Sequence, residues 1–198
     1  TPAAGPVPAA PASGQRVGRI AAFGDSYADD GNLWQLLGIP PAAVYPNGRF
    51  SDSTNFVDTM SLLLGTPVDN FAIGGAFTGN GNINGPGIPG FATEWQSFLA
   101  GGGPAAFPRV TGTFDADDLM VVSIGRNDAR AYERSLGLNP TAAQIQALIA
   151  GAPAQAAQRV TETMAGLNAL ARGGLQNLTF VAVDVARPAA VRGVPVGG

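Results

Sequence analysis

Four short apolar segments, separated by segments of helical periodicity, constrain the fold of this chain more than any other feature. The four are residues 20–23, 68–73, 118–124 and 178–184. Strands that are this short and almost wholly apolar are typical of a sheet that is buried on both faces. Because they alternate with helical segments, they predict an α/β domain built on a parallel sheet with helices on both sides.

The spacing of apolar residues predicts helices between these strands. They are predicted over residues 33–37, 53–64, 93–100, 140–150 and 153–171. Ser53 and Thr54 are the predicted caps of the second helix, because their side chains can accept hydrogen bonds from its first N–H groups. Pro153 is predicted to begin the last helix, since proline fits the first helical turn. The Gly/Asn/Pro-rich loop 78–90 is expected to be mobile or held by a neighbouring element.

Three of the predicted strands end in a polar turn that contains glycine. These turns are Gly24-Asp-Ser at 24–26, Gly-Gly at 74–75 and Gly-Arg-Asn-Asp at 125–128. The carboxyl ends of parallel strands meet at one edge of a sheet, where such folds bind their ligands. The spacing therefore predicts that a serine hydroxyl, exposed backbone amides and a carboxamide lie together at one site.

Ser26, Gly75 and Asn127 are the candidate catalytic residues at this edge. A serine hydroxyl becomes a nucleophile when a general base takes its proton. The oxyanion that forms in acyl transfer needs N–H donors; Gly75 has no Cβ to block a backbone amide, and Asn127 carries a side-chain amide. Each position also has an ordinary explanation: a strand-to-loop turn at Ser26, close strand–helix packing at Gly75, and an Asx turn or helix cap at Asn127.

Sequence blocks around these three residues resemble the GDSL family of the SGNH hydrolases. FGDSYADDGN at 23–32 resembles the family's first block, with Tyr27 in place of the usual leucine. NFAIGGA at 70–76 and IGRND at 124–128 resemble the second and third blocks, in the family's order. YPNGRFSD at 45–52 resembles a segment of the lipase-like branch, whose bacterial members are often secreted.

The resemblance implies a fold, an activity and three residue roles. The implied fold is a three-layer α/β/α sandwich with a parallel sheet, of the flavodoxin-like type, and it would be incomplete in this chain. The implied activity is hydrolysis of carboxylic esters or thioesters through an acyl-enzyme, without a metal or other cofactor. By resemblance Ser26 would be the nucleophile, and its N–H, the N–H of Gly75 and the side-chain amide of Asn127 would form the oxyanion hole.

The family's catalytic histidine, which lies in a late Asp-x-x-His block, has no counterpart here. The chain contains no histidine, and all 11 of its basic residues are arginines. The carboxylates of Asp25, Asp29, Asp30 and Asp128 remain, but an aspartate with an ordinary pKa near 4 is a poor base for a serine hydroxyl. We therefore expect this chain alone to be nearly inactive. A complementary carboxyl-terminal chain of the same precursor is predicted to supply the missing Asp and His.

Composition divides the chain into three parts and argues against several classes of protein. Residues 1–17 are predicted to be a Pro/Ala-rich flexible lead, 18–186 the hydrolase domain, and 187–198 an exposed tail suited to cleavage. A net charge of −3 with 13% charged residues gives no electrostatic basis for nucleic-acid binding. No apolar run approaches the roughly 18 residues of a transmembrane helix. Without cysteine there are no disulfides or thiolate metal sites. The lead segment favours export, to the periplasm, the cell surface or the medium.

Two other functions remain open beside hydrolysis of an ester substrate. A degenerate family member that has lost its base would bind acyl or glycan ligands without catalysis. An acyltransferase would pass the acyl group to an alcohol or sugar instead of water. Hydrolysis that depends on Ser26 separates the esterase from the binding protein, and product formation with an added acceptor alcohol separates the transferase.

Overall fold

A three-stranded parallel sheet forms the centre of the molecule in a computed structural model that describes residues 16–41, 43–103 and 106–175. The strands are β1 (Ile20–Gly24), β2 (Val68–Asn70) and β3 (Leu119–Ser123), in the order β2-β1-β3. All pairings are parallel, with Ile20 of β1 opposite Val68 and Leu119. The prediction of an α/β fold with a parallel sheet is confirmed.

Several predicted features lie outside the described residues. They are the fourth strand at 178–184, the tail at 187–198 and residues 1–15 of the predicted lead. The second strand is described and is shorter than predicted, because regular pairing with β1 ends at Asn70.

Five α-helices and one short 3-10 helix occupy the described residues around this sheet. They are α1 (Asn32–Leu37), the 3-10 helix Pro46–Gly48, α2 (Phe56–Leu64), α3 (Phe91–Leu99), α4 (Arg126–Arg134) and α5 (Ala142–Arg172). Asn55, rather than Ser53 or Thr54, caps α2: its side chain accepts from the N–H of Asp58, whose carboxylate accepts from the N–H of Asn55.

The prediction of two separate helices after Pro140 is wrong, because α5 runs without interruption through Pro153. An interior proline removes one helical hydrogen bond, which normally bends or ends a helix. The carbonyl group left without a helical donor is that of Ile149, four residues before the proline. The hydroxyl of Tyr132 in the neighbouring helix α4 donates to the adjacent carbonyl oxygen, that of Leu148, at 2.8 Å and so joins α4 to α5 beside the proline. Thr141 caps α5, one residue after the predicted start of a helix at 140.

Both faces of the sheet are covered, which gives three layers. Every residue of β1 is buried, and its side chains alternate between two apolar clusters. Phe23 packs on one face, stacked on Phe71 at 5.5 Å between ring centroids, with Phe98 of α3 edge-on to it at 5.6 Å. Ile20 packs on the other face with Val57 of α2. The chain therefore has the helix–sheet–helix arrangement of the predicted α/β/α sandwich.

Candidate active site

The turns that follow the three strands meet at the carboxyl edge of the sheet. Gly24, the last residue of β1, is in register with Ser123, the last residue of β3. The N–H of Asp25 donates to the carbonyl oxygen of Ser123 at 2.9 Å, and the N–H of Ile73 donates to that of Gly24 at 2.9 Å. The strand order makes the gap between β1 and β3 the topological switch point, where open α/β sheets bind ligands.

Ser26 lies in the turn after β1. The turn requires glycine at position 24, where φ is +128° and a Cβ would lie 2.0 Å from the carbonyl oxygen of Ser123. Ser26 is half-buried. Neither its hydroxyl nor its backbone N–H makes a hydrogen bond within the described part of the chain. Both groups are thus available to a ligand.

Gly75 lies in the corresponding turn after β2. It is buried with φ +84°, and a Cβ would come within 2.3 Å of Asn84 Nδ2 and 2.6 Å of Asn82 Oδ1. The close packing at this glycine is with the loop 78–90 and not the strand–helix packing that its ordinary explanation expected. Its N–H nevertheless donates to no acceptor among the residues described. Close packing and a free amide are compatible at this position.

The loop 78–90 is held by a neighbour, one of the two states expected for it. The side-chain amide of Asn82 donates to the carbonyl oxygens of Gly74 at 3.1 Å and Pro89 at 2.9 Å, and Asn84 donates to Gly74 at 3.1 Å. These bonds fix the turn that contains Gly74 and Gly75.

Asn127 is the second residue of α4, is 5% exposed and faces this same turn. Its side-chain Nδ2 donates to the carbonyl oxygen of Ala76 at 3.1 Å. The cap residue of α4 is Gly125, without a side-chain capping bond, so Asn127 is not a helix cap. A carboxamide has two N–H donors, and the second has no acceptor within the described ranges.

Two buried carboxylates fix these turns: Glu94, which sequence reasoning missed, and Asp29, which it considered only as a base. Glu94 of α3 is fully buried and accepts from the N–H of Gly24 at 2.6 Å and that of Ile73 at 3.2 Å. Burial raises the pKa of Glu94 well above its ordinary value. Its spacing from Phe91 and Phe98 on the buried face of α3 was the available signal.

Asp29 is the second of these carboxylates. It accepts from the N–H groups of Gly31, Asn32 and Leu33 at the start of α1, at 2.6 to 3.1 Å. It also accepts from the N–H of Gly74 at 2.6 Å. One side chain therefore joins the loop of Ser26 to the residue before Gly75. Burial raises the pKa of Asp29, against the effect of these four bonds.

Three of the carboxylates considered as bases from the sequence make no hydrogen bond to the hydroxyl of Ser26 among the described residues. Asp25 is 1% exposed and accepts from the N–H of Tyr27 at 3.1 Å; burial raises its pKa to about 6. Burial also raises the pKa of Asp30 to about 6. Asp128 accepts from the N–H and hydroxyl of Thr78, at 2.9 to 3.2 Å. None of these groups is hydrogen-bonded to the Ser26 hydroxyl in the described structure.

Metal ligands and membrane-spanning helices were also sought in the part of the chain that the structure describes. It contains no group of three acidic or other metal-ligating side chains that could hold an ion. None of its helices is both long and apolar enough to cross a bilayer.

Comparison with known proteins gives one family. A family model described as GDSL-like Lipase/Acylhydrolase matches residues 20–183, a span that contains all three candidate residues. A search of curated proteins finds no significant match. Since the family match covers well over half of the 198 residues, the chain belongs to the GDSL-like lipase/acylhydrolase family, a family of ester hydrolases.

Proposed function

We propose that this chain carries the nucleophile and the oxyanion hole of a serine ester hydrolase. The observation that best supports this is the set of free donors at one sheet edge. The hydroxyl and N–H of Ser26, the N–H of Gly75 and one N–H of the Asn127 side chain have no acceptor among the described residues. Buried amides rarely lack a partner unless a ligand or water uses them.

In the proposed mechanism, the Oγ of Ser26 attacks the ester carbonyl carbon while a base takes its proton. The carbonyl oxygen becomes an oxyanion, which accepts hydrogen bonds from Ser26, Gly75 and Asn127. The base then gives the proton to the departing alkoxide, which leaves an acyl-enzyme and a free alcohol. A water attacks the acyl-enzyme by the same route and releases the carboxylic acid. Loss of one oxyanion donor typically costs about 10²- to 10³-fold in kcat.

We further propose that the base is a histidine from outside these 198 residues. The sequence contains neither histidine nor lysine. The carboxylate closest in sequence to the nucleophile, Asp25, is buried and accepts from the N–H of Tyr27. A complementary carboxyl-terminal chain that carries an Asp-x-x-His block would complete the site. Without it, we expect residual activity at most, because removing one member of a catalytic triad costs several powers of ten.

Hydrolysis of a short p-nitrophenyl ester tests both proposals. The 198-residue chain is assayed alone and with a complementary polypeptide that carries the Asp-x-x-His block, or with the polypeptide that copurifies with it. We expect slow hydrolysis alone and a large increase with the second polypeptide. Ser26→Ala should abolish the increase, whereas the control Ser53→Ala, an exposed serine whose hydroxyl makes no hydrogen bond among the described residues, should not. Equal rates with and without Ser26 would exclude the esterase.

The absence of histidine favours one other candidate, a non-catalytic protein that binds acyl or glycan ligands. It predicts that no histidine-containing polypeptide produces Ser26-dependent hydrolysis, while the chain still binds an acyl ligand. The same assay, together with binding of a non-hydrolysable amide analogue of the ester, separates the two.

A further inference from the structure

An arginine without an ion-pair partner lies beside the candidate active site. Arg126 is exposed and is the first residue of α4, directly before Asn127. No carboxylate of the described residues lies within ion-pair distance of its guanidinium. A positive charge at the N-terminal end of a helix interacts unfavourably with the helix dipole. Stability of the helix therefore does not explain this arginine.

Tyr27, the residue after the nucleophile, holds this guanidinium in place. Nη1 of Arg126 donates to the phenol oxygen of Tyr27, and its Cζ lies 5.4 Å from the centre of the ring. Such a cation–π contact and hydrogen bond restrict a side chain that is otherwise flexible. One of the five guanidinium N–H donors is used, and within the described ranges the others have no acceptor.

The acidic groups nearest to Arg126 are already engaged. The positive charge of Arg126 acts on Asp25, but that carboxyl is 1% exposed and accepts from the N–H of Tyr27. Asp128, two residues after Arg126, is bonded to Thr78. The exposed donors of Arg126 therefore stay available to a group from outside the described residues. A guanidinium held in one place binds a carboxylate or phosphate through two parallel hydrogen bonds.

We propose that Arg126, supported by Tyr27, is a specificity-determining residue that binds a carboxylate or phosphate on the ester substrate. The inference rests on the proposed function, because it is the positions of Ser26 and Asn127 that place this arginine beside a scissile ester. The substrate class is then an ester with an oxyanionic group close to the scissile bond. A neutral ester of the same size lacks the group that Arg126 binds.

Binding of amide analogues tests the proposal without any need for hydrolysis. The 198-residue chain with Ser26→Ala is titrated by NMR with 4-acetamidobenzoate, 4-acetamidophenyl phosphate and the neutral 4-acetamidobenzamide. We expect at least one anion to bind about tenfold more tightly than the neutral analogue, a difference that corresponds to about 1.4 kcal/mol. The two anions distinguish a carboxylate site from a phosphate site.

Three variants identify the residue that is responsible for the preference for an anion. Arg126→Gln should remove the preference for the anion. Arg130→Gln makes the same change of charge one turn further along the helix, at another exposed arginine, and should retain it. Tyr27→Phe should weaken the preference while keeping the ring. An equal effect of both glutamine variants, equal affinity for anion and neutral analogue, or no binding of any analogue would overturn the proposal.

A parallel assay keeps the two proposals apart. Hydrolysis of 4-acetoxybenzoate and 4-acetoxybenzamide is compared with and without Ser26→Ala, in the presence of the completing polypeptide. If hydrolysis does not require Ser26, the proposed esterase function is excluded, while the binding results still decide whether Arg126 forms an anion site. If hydrolysis requires Ser26 but the two esters are hydrolysed at equal rates, the proposed esterase function is supported and the proposed role of Arg126 is excluded.

Discussion

Gly75 and Gly87 have nearly the same backbone φ, +84° and +80°, in very different surroundings. A Cβ on Gly75 would lie 2.3 Å from Asn84 Nδ2 and 2.6 Å from Asn82 Oδ1, whereas a Cβ on Gly87 would meet no heavy atom within 4 Å. Alanine at either position carries the same cost of a left-handed backbone, about 1–3 kcal/mol. A comparison of the two therefore isolates the effect of the collision.

We expect Gly75→Ala to lower the free energy of unfolding by about 2 kcal/mol more than Gly87→Ala. The added methyl group displaces the side chains of Asn82 and Asn84, which then lose their bonds to the carbonyl oxygen of Gly74. Urea denaturation of both variants measures the difference. Equal losses would mean that the turn after β2 adapts to a side chain.

At the scale of secondary structure, α2 and α5 begin with the same capping motif in different settings. Asn55 caps α2 and is buried; its Nδ2 also donates to the carbonyl oxygens of Ala28 and Asp29, both at 3.1 Å. Thr141 caps α5 and is exposed, and among the described residues its side chain bonds only to Gln144 of its own helix. The first cap thus also fixes the loop that carries Ser26.

Asn55→Ala is therefore expected to destabilise the protein more than Thr141→Ala. Loss of a cap alone costs about 1 kcal/mol, the value expected for Thr141→Ala. The asparagine variant also leaves the buried carbonyl group of Asp29 without a donor among the described residues, at about 1–3 kcal/mol. The carbonyl group of Ala28 keeps its bond from Asn70 Nδ2 at 2.7 Å. Chemical denaturation of both variants measures this, and a similar loss in the two would show that the bonds to the loop contribute little.

The positions of the elements could be predicted from sequence where local signals dominate. The position of β1 was predicted correctly because residues 20–23 form a short apolar run, and all four are buried in the structure. The cap of α2 was misplaced because Ser53, Thr54 and Asn55 are all good caps, and contacts with a distant loop select the third. Pro153 suggested a break because proline removes one helical hydrogen bond, whereas the packing of α5 against α3 and α4 is not visible in the sequence.

At the scale of the whole molecule, burial of several carboxyl groups makes stability depend on pH. Burial raises the pKa values of Asp25 and Asp30 to about 6, and those of Asp29, Glu94 and Asp128 are also raised. A raised pKa means that the folded protein binds more protons than the unfolded chain between the two pKa values. Stability therefore falls as pH rises through this window, here from about 4 to about 6.

Asp25→Asn should reduce this fall, because the amide oxygen can still accept from the N–H of Tyr27 but carries no charge. A shift from 3.8 to about 6 corresponds to a contribution of about 3 kcal/mol. Unfolding free energies at pH 4 and pH 7 measure it, with the exposed Asp52→Asn as control. A pH dependence that is the same in both variants would contradict the prediction.

The positions of the turns that form the candidate site could be predicted from the sequence, whereas the buried acid that fixes them could not. Ser26, Gly75 and Asn127 were found because parallel strands bring their turns to one edge, and the structure places them there. Glu94 was missed because a buried acid is stabilised by backbone N–H groups that are distant in sequence. The completing chain and export from the cell stay predictions.

The central position of β1 has a consequence for the order in which the molecule opens. β1 is paired on both sides, whereas the three-residue β2 pairs only with β1 in the described structure. Amide hydrogen exchange should therefore be slowest in β1 and faster in β2, since local opening follows the density of protecting contacts. On mild warming, the N–H of Gly75, which follows β2, would therefore leave the candidate site before Ser26 moves, while most of the fold persists.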